Sequence, residues 1–112
     1  MRPSLALQLA KVQLTLFTRA NCGLCDVAKS RIVEFNKKQS GPVKYSEVDI
    51  MQRGQEKWKD AYDFDVPVLH IDRISDTGKD FQPSLDAACK LMHRFTVEEV
   101  EKAVQNVEGR SS

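Results

Sequence analysis

Two cysteines separated by two residues, in Cys22-Gly23-Leu24-Cys25, constrain this chain more than any other feature. They follow a predicted strand and open a predicted helix. Thiols at this spacing can close a small disulfide ring. The helix start supplies free backbone N–H groups and the positive end of a dipole, and both favour a thiolate over a thiol. The thiolate is the reactive species, so the motif points to redox or metal chemistry rather than to a pair of structural thiols.

The residues around the motif predict a strand and a helix. Residues 12–18 alternate and then become fully apolar at Leu16-Phe17, which is typical of a strand buried on both faces. Cys25, Ala28, Ile32 and Phe35 form one apolar stripe of a helix from about residue 24 to 38. Ser40-Gly41-Pro42 is expected to stop this helix.

The rest of the chain predicts five further elements and one loop. We expect a second strand at 43–50 on a sheet edge, and a short helix near 54–62. A strand at 66–71, a polar loop at 73–87, a last strand at 89–95 and a final helix follow. Thr96 and Glu99 match a capping box for that helix. The order β-α-β-α-β-β-α places the chain in the α/β class, and a C-x-x-C in a βαβ context is typical of a thioredoxin-like redox motif.

Composition narrows the function classes. A chain of 112 residues fits one domain, expected over residues 1–112. The net charge is +1, without a basic stripe, so we expect no nucleic-acid partner. No apolar run approaches the ~20 residues of a membrane span, so we expect no membrane partner. Three cysteines, an odd number, favour a reducing compartment and hence a cytoplasmic location. We expect the protein to be a monomer. The first 25 residues are basic and carry no acid, which leaves a mitochondrial location as the alternative.

The two thiols are expected to differ in role. Cys22 precedes the helix, so it faces solvent and the free N–H groups, and it is the predicted nucleophile. Cys25 lies in the first turn on the apolar stripe, so it is the predicted resolving thiol. Arg19, three residues before Cys22, either stabilises the thiolate and binds a carboxylate or is a solvated loop residue.

The segment Leu16-Phe17-Thr18-Arg19-Ala20-Asn21-Cys22-Gly23-Leu24-Cys25 resembles the active-site segment of glutaredoxins. Asp65-Val66-Pro67 stands where that family has Thr-Val-Pro. The chain is most similar to a small glutaredoxin-like family that has the C-x-x-C and the Val-Pro strand. The resemblance implies a thioredoxin fold, with a mixed sheet of about four strands and about three flanking helices. It also implies a cis Pro67 facing the cysteines, and it favours a functional Arg19.

The chain departs from glutaredoxins at three places. Gly23-Leu24 replaces the usual Pro-Tyr between the cysteines, and the loop at 73–87 replaces a tight hairpin. The Gly-Gly-x-Asp signature that helps hold glutathione is missing, and Met92-His93-Arg94-Phe95 stands near its place. The N–H groups at the Thr96 helix start and the Arg94 guanidinium are the available anion donors there. Arg94 is equally well interpreted as a solvated charge.

The resemblance implies a thiol–disulfide oxidoreductase. Its predicted co-substrates are glutathione and disulfide-bearing proteins, with no tightly bound cofactor. The Val66 backbone, next to Pro67, is expected to pair with the substrate chain as an added strand. One alternative is an iron–sulfur carrier that uses Cys22 and glutathione, since Gly23 resembles the glycine of cluster-binding glutaredoxins. A second alternative is a redox-degenerate member that binds a partner through the fold.

Other reactive side chains favour structural roles. Cys89 and His93, taken with the C-x-x-C, match a zinc ligand set in spacing. We prefer Cys89 as a buried apolar residue and His93 as a surface residue, and expect no metal site. His70, within a strand, is expected to be structural. Trp58, Tyr62 and Phe64, near Pro67, are expected to belong to the core rather than to form a binding shelf.

Overall fold

The structure, a computed structural model, describes residues 11–39, 43–74 and 81–108. In chain order these residues form strand β1 (Lys11–Thr18), helix α1 (Gly23–Lys38), strand β2 (Val43–Asp49), helix α2 (Glu56–Tyr62), strands β3 (Val68–Ile74) and β4 (Cys89–Met92), and helix α3 (Val97–Glu108). The predicted order of elements is confirmed. The expected helix stop at 40–42 lies outside the described residues.

The four strands form one mixed sheet in the order β2-β1-β3-β4. β1 runs parallel to β2 and antiparallel to β3, and β4 is antiparallel to β3. β2 lies at a sheet edge, as the sequence predicts. Leu16 and Phe17 are both fully buried although they point to opposite faces of β1, which confirms a strand covered on both sides.

Helices α1 and α3 cover one face of the sheet, and α2 covers the other. The larger core holds apolar side chains of α1, α3, β1 and β3, among them Ile32, Phe35, Val100, Leu14 and Ile71. A smaller cluster beneath α2 contains Phe17, Ile50, Trp58, Tyr62 and Val68. None of the helices in the described ranges is long and apolar enough to cross a bilayer.

Several boundaries differ from the sequence prediction for identifiable reasons. α2 begins two residues after Gly54, because Gly54 adopts a φ of 93° in the preceding turn. β3 reaches Ile74 because Arg73 and Ile74 pair with the start of β1. Arg73 and Ile74 therefore belong to β3 and not to the predicted loop at 73–87. Residues 75–80 of that loop lie outside the described residues. β4 ends at Met92 because His93 adopts a φ of 66°, in the left-handed region.

Candidate active site

The backbone before α1 holds Cys22 at the end of the helix. Asn21 adopts a φ of 57°, a left-handed conformation that asparagine tolerates better than most residues. Cys22 is extended and is the N-cap of α1, and its Sγ accepts a hydrogen bond from the N–H of Cys25 over 3.1 Å. One of the unpaired helix N–H groups thus points at the sulfur, which is the arrangement that stabilises a thiolate.

Cys22 and Cys25 form a disulfide bond, with their Cα atoms 5.2 Å apart, so the structure represents the oxidised state. Cys25 is fully buried in the first turn of α1, whereas Cys22 is partly exposed. The expected difference in burial between the two sulfurs is therefore present. An external thiol or disulfide has access to Cys22 and not to Cys25.

Arg19 is engaged by Asp63, an acidic residue 44 positions further along the chain. Its Nη1 donates to Asp63 Oδ1 over 2.7 Å and to the Asp63 carbonyl over 3.3 Å. Lys59 Nζ lies 3.7 Å from the other carboxylate oxygen of Asp63. Arg19 is therefore not a freely solvated loop residue; it links the loop before Cys22 to the turn after α2.

The peptide bond between Val66 and Pro67 is cis, which confirms the expectation drawn from the family resemblance. The Pro67 carbonyl accepts a hydrogen bond from the N–H of His93 over 2.8 Å, so this loop is tied to the end of β4. The N–H of Val66 donates to the Tyr62 carbonyl over 3.2 Å. An added substrate strand would therefore find the N–H of Val66 already engaged, and only its carbonyl is left for pairing.

A cavity of about 210 Å³ lies between the start of α1 and the segment that leads into α3. Its apolar lining comes from Leu24, Val27, Ala28 and Phe95. Its charged lining residues are Arg31, Arg94 and Glu99. We call it the Arg31–Arg94 cavity. Because Leu24 belongs to the C-x-x-C motif, the cavity borders the redox site.

The capping box at the start of α3 is confirmed. The N–H of Glu99 donates to Thr96 Oγ1 over 3.0 Å, and the N–H of Thr96 donates to Glu99 Oε1 over 2.8 Å. The Glu99 carboxylate is thus used in the cap. The two positive charges of Arg31 and Arg94 exceed the one negative charge of Glu99. Together with the positive end of the α3 dipole, this excess makes the cavity suited to an anion.

His70 is fully buried on the α2 face of the sheet. Its Nε2 lies 2.7 Å from Tyr62 Oη, and its ring packs against those of Phe17, Trp58 and Tyr62. Burial, together with the positive charge of Lys90, lowers the pKa of His70 to about 4. A neutral, buried imidazole in an aromatic cluster matches the predicted structural role.

The remaining metal candidates lie apart from one another. Cys89 is partly buried against the larger core, and the His93 side chain is 53% exposed and faces Asp65. In the ranges 11–39, 43–74 and 81–108 there is no group of three or more side chains arranged to hold a metal ion.

One sequence expectation about this region is wrong. Trp58 and Tyr62 belong to the core, but the Phe64 side chain is 93% exposed. The turn after α2 directs the Phe64 side chain outward, and the proximity of aromatic residues in the sequence does not reveal this.

Arg31 was not predicted as a residue of the site. Its spacing of seven residues from Leu24 nevertheless places both residues on one helix face.

Comparison with known proteins assigns the family. A family model described as a glutaredoxin-like domain (DUF836) matches residues 13–105. The chain belongs to this family.

Solved structures with low sequence identity share the fold. A structural-genomics target protein from X. campestris matches with a TM-score of 0.55 and 22% identity, over 83% of this chain and 96% of that one. Thioredoxin-2 of the malaria parasite gives a TM-score of 0.66 at 10% identity, over 87% of this chain and 84% of its own. Thioredoxin O2 from Arabidopsis thaliana gives 0.58 at 20% identity, over 94% and 85%. The fold class is therefore the expected α/β thioredoxin fold, and with its closely spaced cysteine pair it supports a redox module.

Proposed function

We propose that the chain is a thiol–disulfide oxidoreductase that uses glutathione as its reductant. The observation that carries the proposal is the pairing of a partly exposed Cys22, capped by the N–H of Cys25, with a fully buried Cys25. In this arrangement one sulfur exchanges with outside molecules and the other reacts only with its neighbour.

The reaction cycle consists of four thiol–disulfide exchanges, two that reduce the substrate and two that restore the enzyme. The Cys22 thiolate attacks a mixed or protein disulfide, forms a new bond to one of its sulfurs and expels the other as a thiol. The Cys25 thiolate then attacks Cys22 Sγ, releases the bound sulfur as the second thiol, and closes the Cys22–Cys25 disulfide. One glutathione thiolate opens this disulfide at Cys22 and frees Cys25. A second glutathione removes the first as glutathione disulfide and restores both thiols.

The Arg31–Arg94 cavity supports glutathione as the reductant. Glutathione carries two carboxylates, and the cavity combines two guanidinium groups with an apolar lining beside Leu24. Arg19 contributes less directly, since Asp63 already accepts from it. Because the N–H of Val66 already donates to Tyr62, the Val66 carbonyl is the backbone group that would accept a hydrogen bond from the peptide part of glutathione. The chain thereby replaces the Gly-Gly-x-Asp donors with arginines, and we expect weaker binding than in ordinary glutaredoxins.

The proposal is tested by measuring reduction of hydroxyethyl disulfide in an assay coupled to glutathione reductase, beside the same reaction coupled to thioredoxin reductase. Saturable dependence on glutathione supports the proposal. Turnover only with thioredoxin reductase would remove glutathione from it. No turnover in either assay would favour a redox-degenerate binding module. Visible absorbance of anaerobically purified protein that is lost in Cys22→Ser would favour the iron–sulfur alternative.

A further inference from the structure

The side chain of Phe64 is far more exposed than any other large apolar side chain among the described residues. It is 93% exposed, whereas the next most exposed, Val33 and Leu85, are each at 51%. Covering a solvated phenylalanine ring with another apolar surface is favourable, because it removes apolar area from water. The aromatic ring is also the kind of side chain that dominates binding energy when it is buried at an interface.

The turn that carries Phe64 is held on both sides. The N–H of Asp63 donates to the Lys59 carbonyl, and the N–H groups of Asp65 and Val66 donate to the Tyr62 carbonyl, all within 3.2 Å. Phe64 is therefore presented by a closed turn and not by an open loop. A ring on an ordered backbone loses little conformational freedom on binding, which favours its use as an anchor.

This turn lies beside the redox site. Asp63, directly before Phe64, accepts from Arg19, which is three residues before Cys22. Val66 and the cis Pro67 follow Phe64 by two and three residues. The Arg19–Asp63 hydrogen bond joins the loop before Cys22 to this turn, so a polypeptide bound at Cys22 can extend over the turn.

The two acidic residues on either side of Phe64 both have side-chain neighbours. Asp63 contacts Arg19 and Lys59, and Asp65 Oδ1 lies 3.7 Å from His93 Nε2. The Asp63 carboxylate is thus already engaged by two cations and is not left to attract a basic partner. The surface instead favours an apolar side chain.

From these observations we infer that Phe64 is the docking residue for polypeptide substrates: it packs against an apolar side chain near the substrate's disulfide cysteine. The inference rests on the proposed oxidoreductase function. It predicts that Phe64 contributes to the binding of protein disulfides but not to that of small disulfides. A protein disulfide gains affinity from the ring, whereas a small disulfide reaches Cys22 without touching it.

The test compares the reduction of insulin, a polypeptide disulfide, with that of hydroxyethyl disulfide. In Phe64→Ser we expect kcat/KM for insulin to fall at least fivefold and that for hydroxyethyl disulfide to stay unchanged. Phe64→Leu, which keeps an apolar side chain, should recover part of the loss. Val33→Ser removes an exposed apolar side chain from α1 and should change neither substrate. An unchanged melting temperature in all three variants checks that the fold is intact.

The outcomes separate the inference from the function on which it rests. A wild-type protein that reduces neither substrate would overturn both. A wild-type protein that reduces hydroxyethyl disulfide and not insulin would overturn only the docking role of Phe64. Equal loss on both substrates in Phe64→Ser, no loss on insulin, or an equal effect of Val33→Ser would also overturn it.

Discussion

Arg19 Nη1 donates to Asp63 Oδ1 over 2.7 Å and thereby joins the loop before Cys22 to the turn before Pro67. The two residues are 44 positions apart in the chain. The cation expected to act on the nucleophile is thus partly neutralised by a carboxylate. The ion pair therefore predicts how removing the Asp63 charge changes the reactivity of Cys22.

Asp63→Asn should make Cys22 more reactive at a given pH. The substitution removes the negative charge that opposes Arg19, so the guanidinium favours the Cys22 thiolate more strongly. The rate of iodoacetamide alkylation of the reduced protein against pH measures the effect, and its inflection should move to lower pH. Stability should fall by only about 0.2–1 kcal/mol, because the ion pair is partly exposed. Asp60→Asn, an exposed residue of α2, is the matched control, and an equal shift in it would contradict the account.

Gly23→Pro should stabilise the reduced protein. Gly23 is the first residue of α1, where proline is favoured, and Cys22 already has a φ of −122° and a ψ of 105°, close to the pre-proline region. A Cβ at position 23 would meet no atom within 4 Å. Urea unfolding should show a gain of about 0.4–1 kcal/mol from the smaller entropy of the unfolded chain. Gly23→Ala adds a Cβ without the proline ring and serves as the control. A loss of stability in both variants would contradict the finding that a side chain at position 23 meets no other atom.

The buried His70 predicts a loss of stability in mild acid. Its pKa is lowered to about 4 in the folded protein, against ~6.5 in an unfolded chain. Between these values the unfolded state binds more protons, so the free energy of unfolding falls as the pH falls from ~6.5 towards 4. His70→Gln should flatten this dependence between pH 7 and 5, measured by urea unfolding. His93→Gln removes an exposed ring and serves as the control. Equal slopes for wild type and His70→Gln would contradict the prediction.

Arg94→Ala should raise the KM for glutathione several-fold and leave kcat largely unchanged. Arg94 lines the cavity beside Leu24 and does not contact the reacting sulfurs, so its loss removes binding in the ground state and the transition state alike. The glutathione-coupled assay gives both constants. Arg53→Ala, at an exposed turn residue, is the control for removing a positive charge. An unchanged KM would exclude Arg94 from the site.

The fold was largely predictable because its signals are local. The stripe from Cys25 to Phe35, the capping box at Thr96 and Glu99, and the apolar run at Leu16-Phe17 each report one element, and the structure contains all three. The extension of β3 to Ile74 was not predictable, because it depends on pairing with the start of β1.

The site was predictable at the cysteines and much less so around them. The helix start and the apolar stripe place Cys22 outward and Cys25 inward without any tertiary information. The partner of Arg19 and the outward direction of Phe64 depend on how the turn after α2 meets the loop before α1. Contacts over such a separation leave no periodic pattern in the sequence.

The division of labour between the two cysteines is the central claim, and trapping the mixed disulfide tests it most directly. Reduced Cys25→Ser is treated with glutathione disulfide, and the modified residue is mapped by mass spectrometry of peptides. The Cys22 thiolate should displace one glutathione and keep the other, because no second thiol lies beside it to release the adduct. Cys22→Ser, treated identically, should carry no adduct at the buried Cys25. An adduct on Cys22 alone is the predicted result; an adduct on Cys25 in Cys22→Ser, or none on Cys22 in Cys25→Ser, would contradict the account.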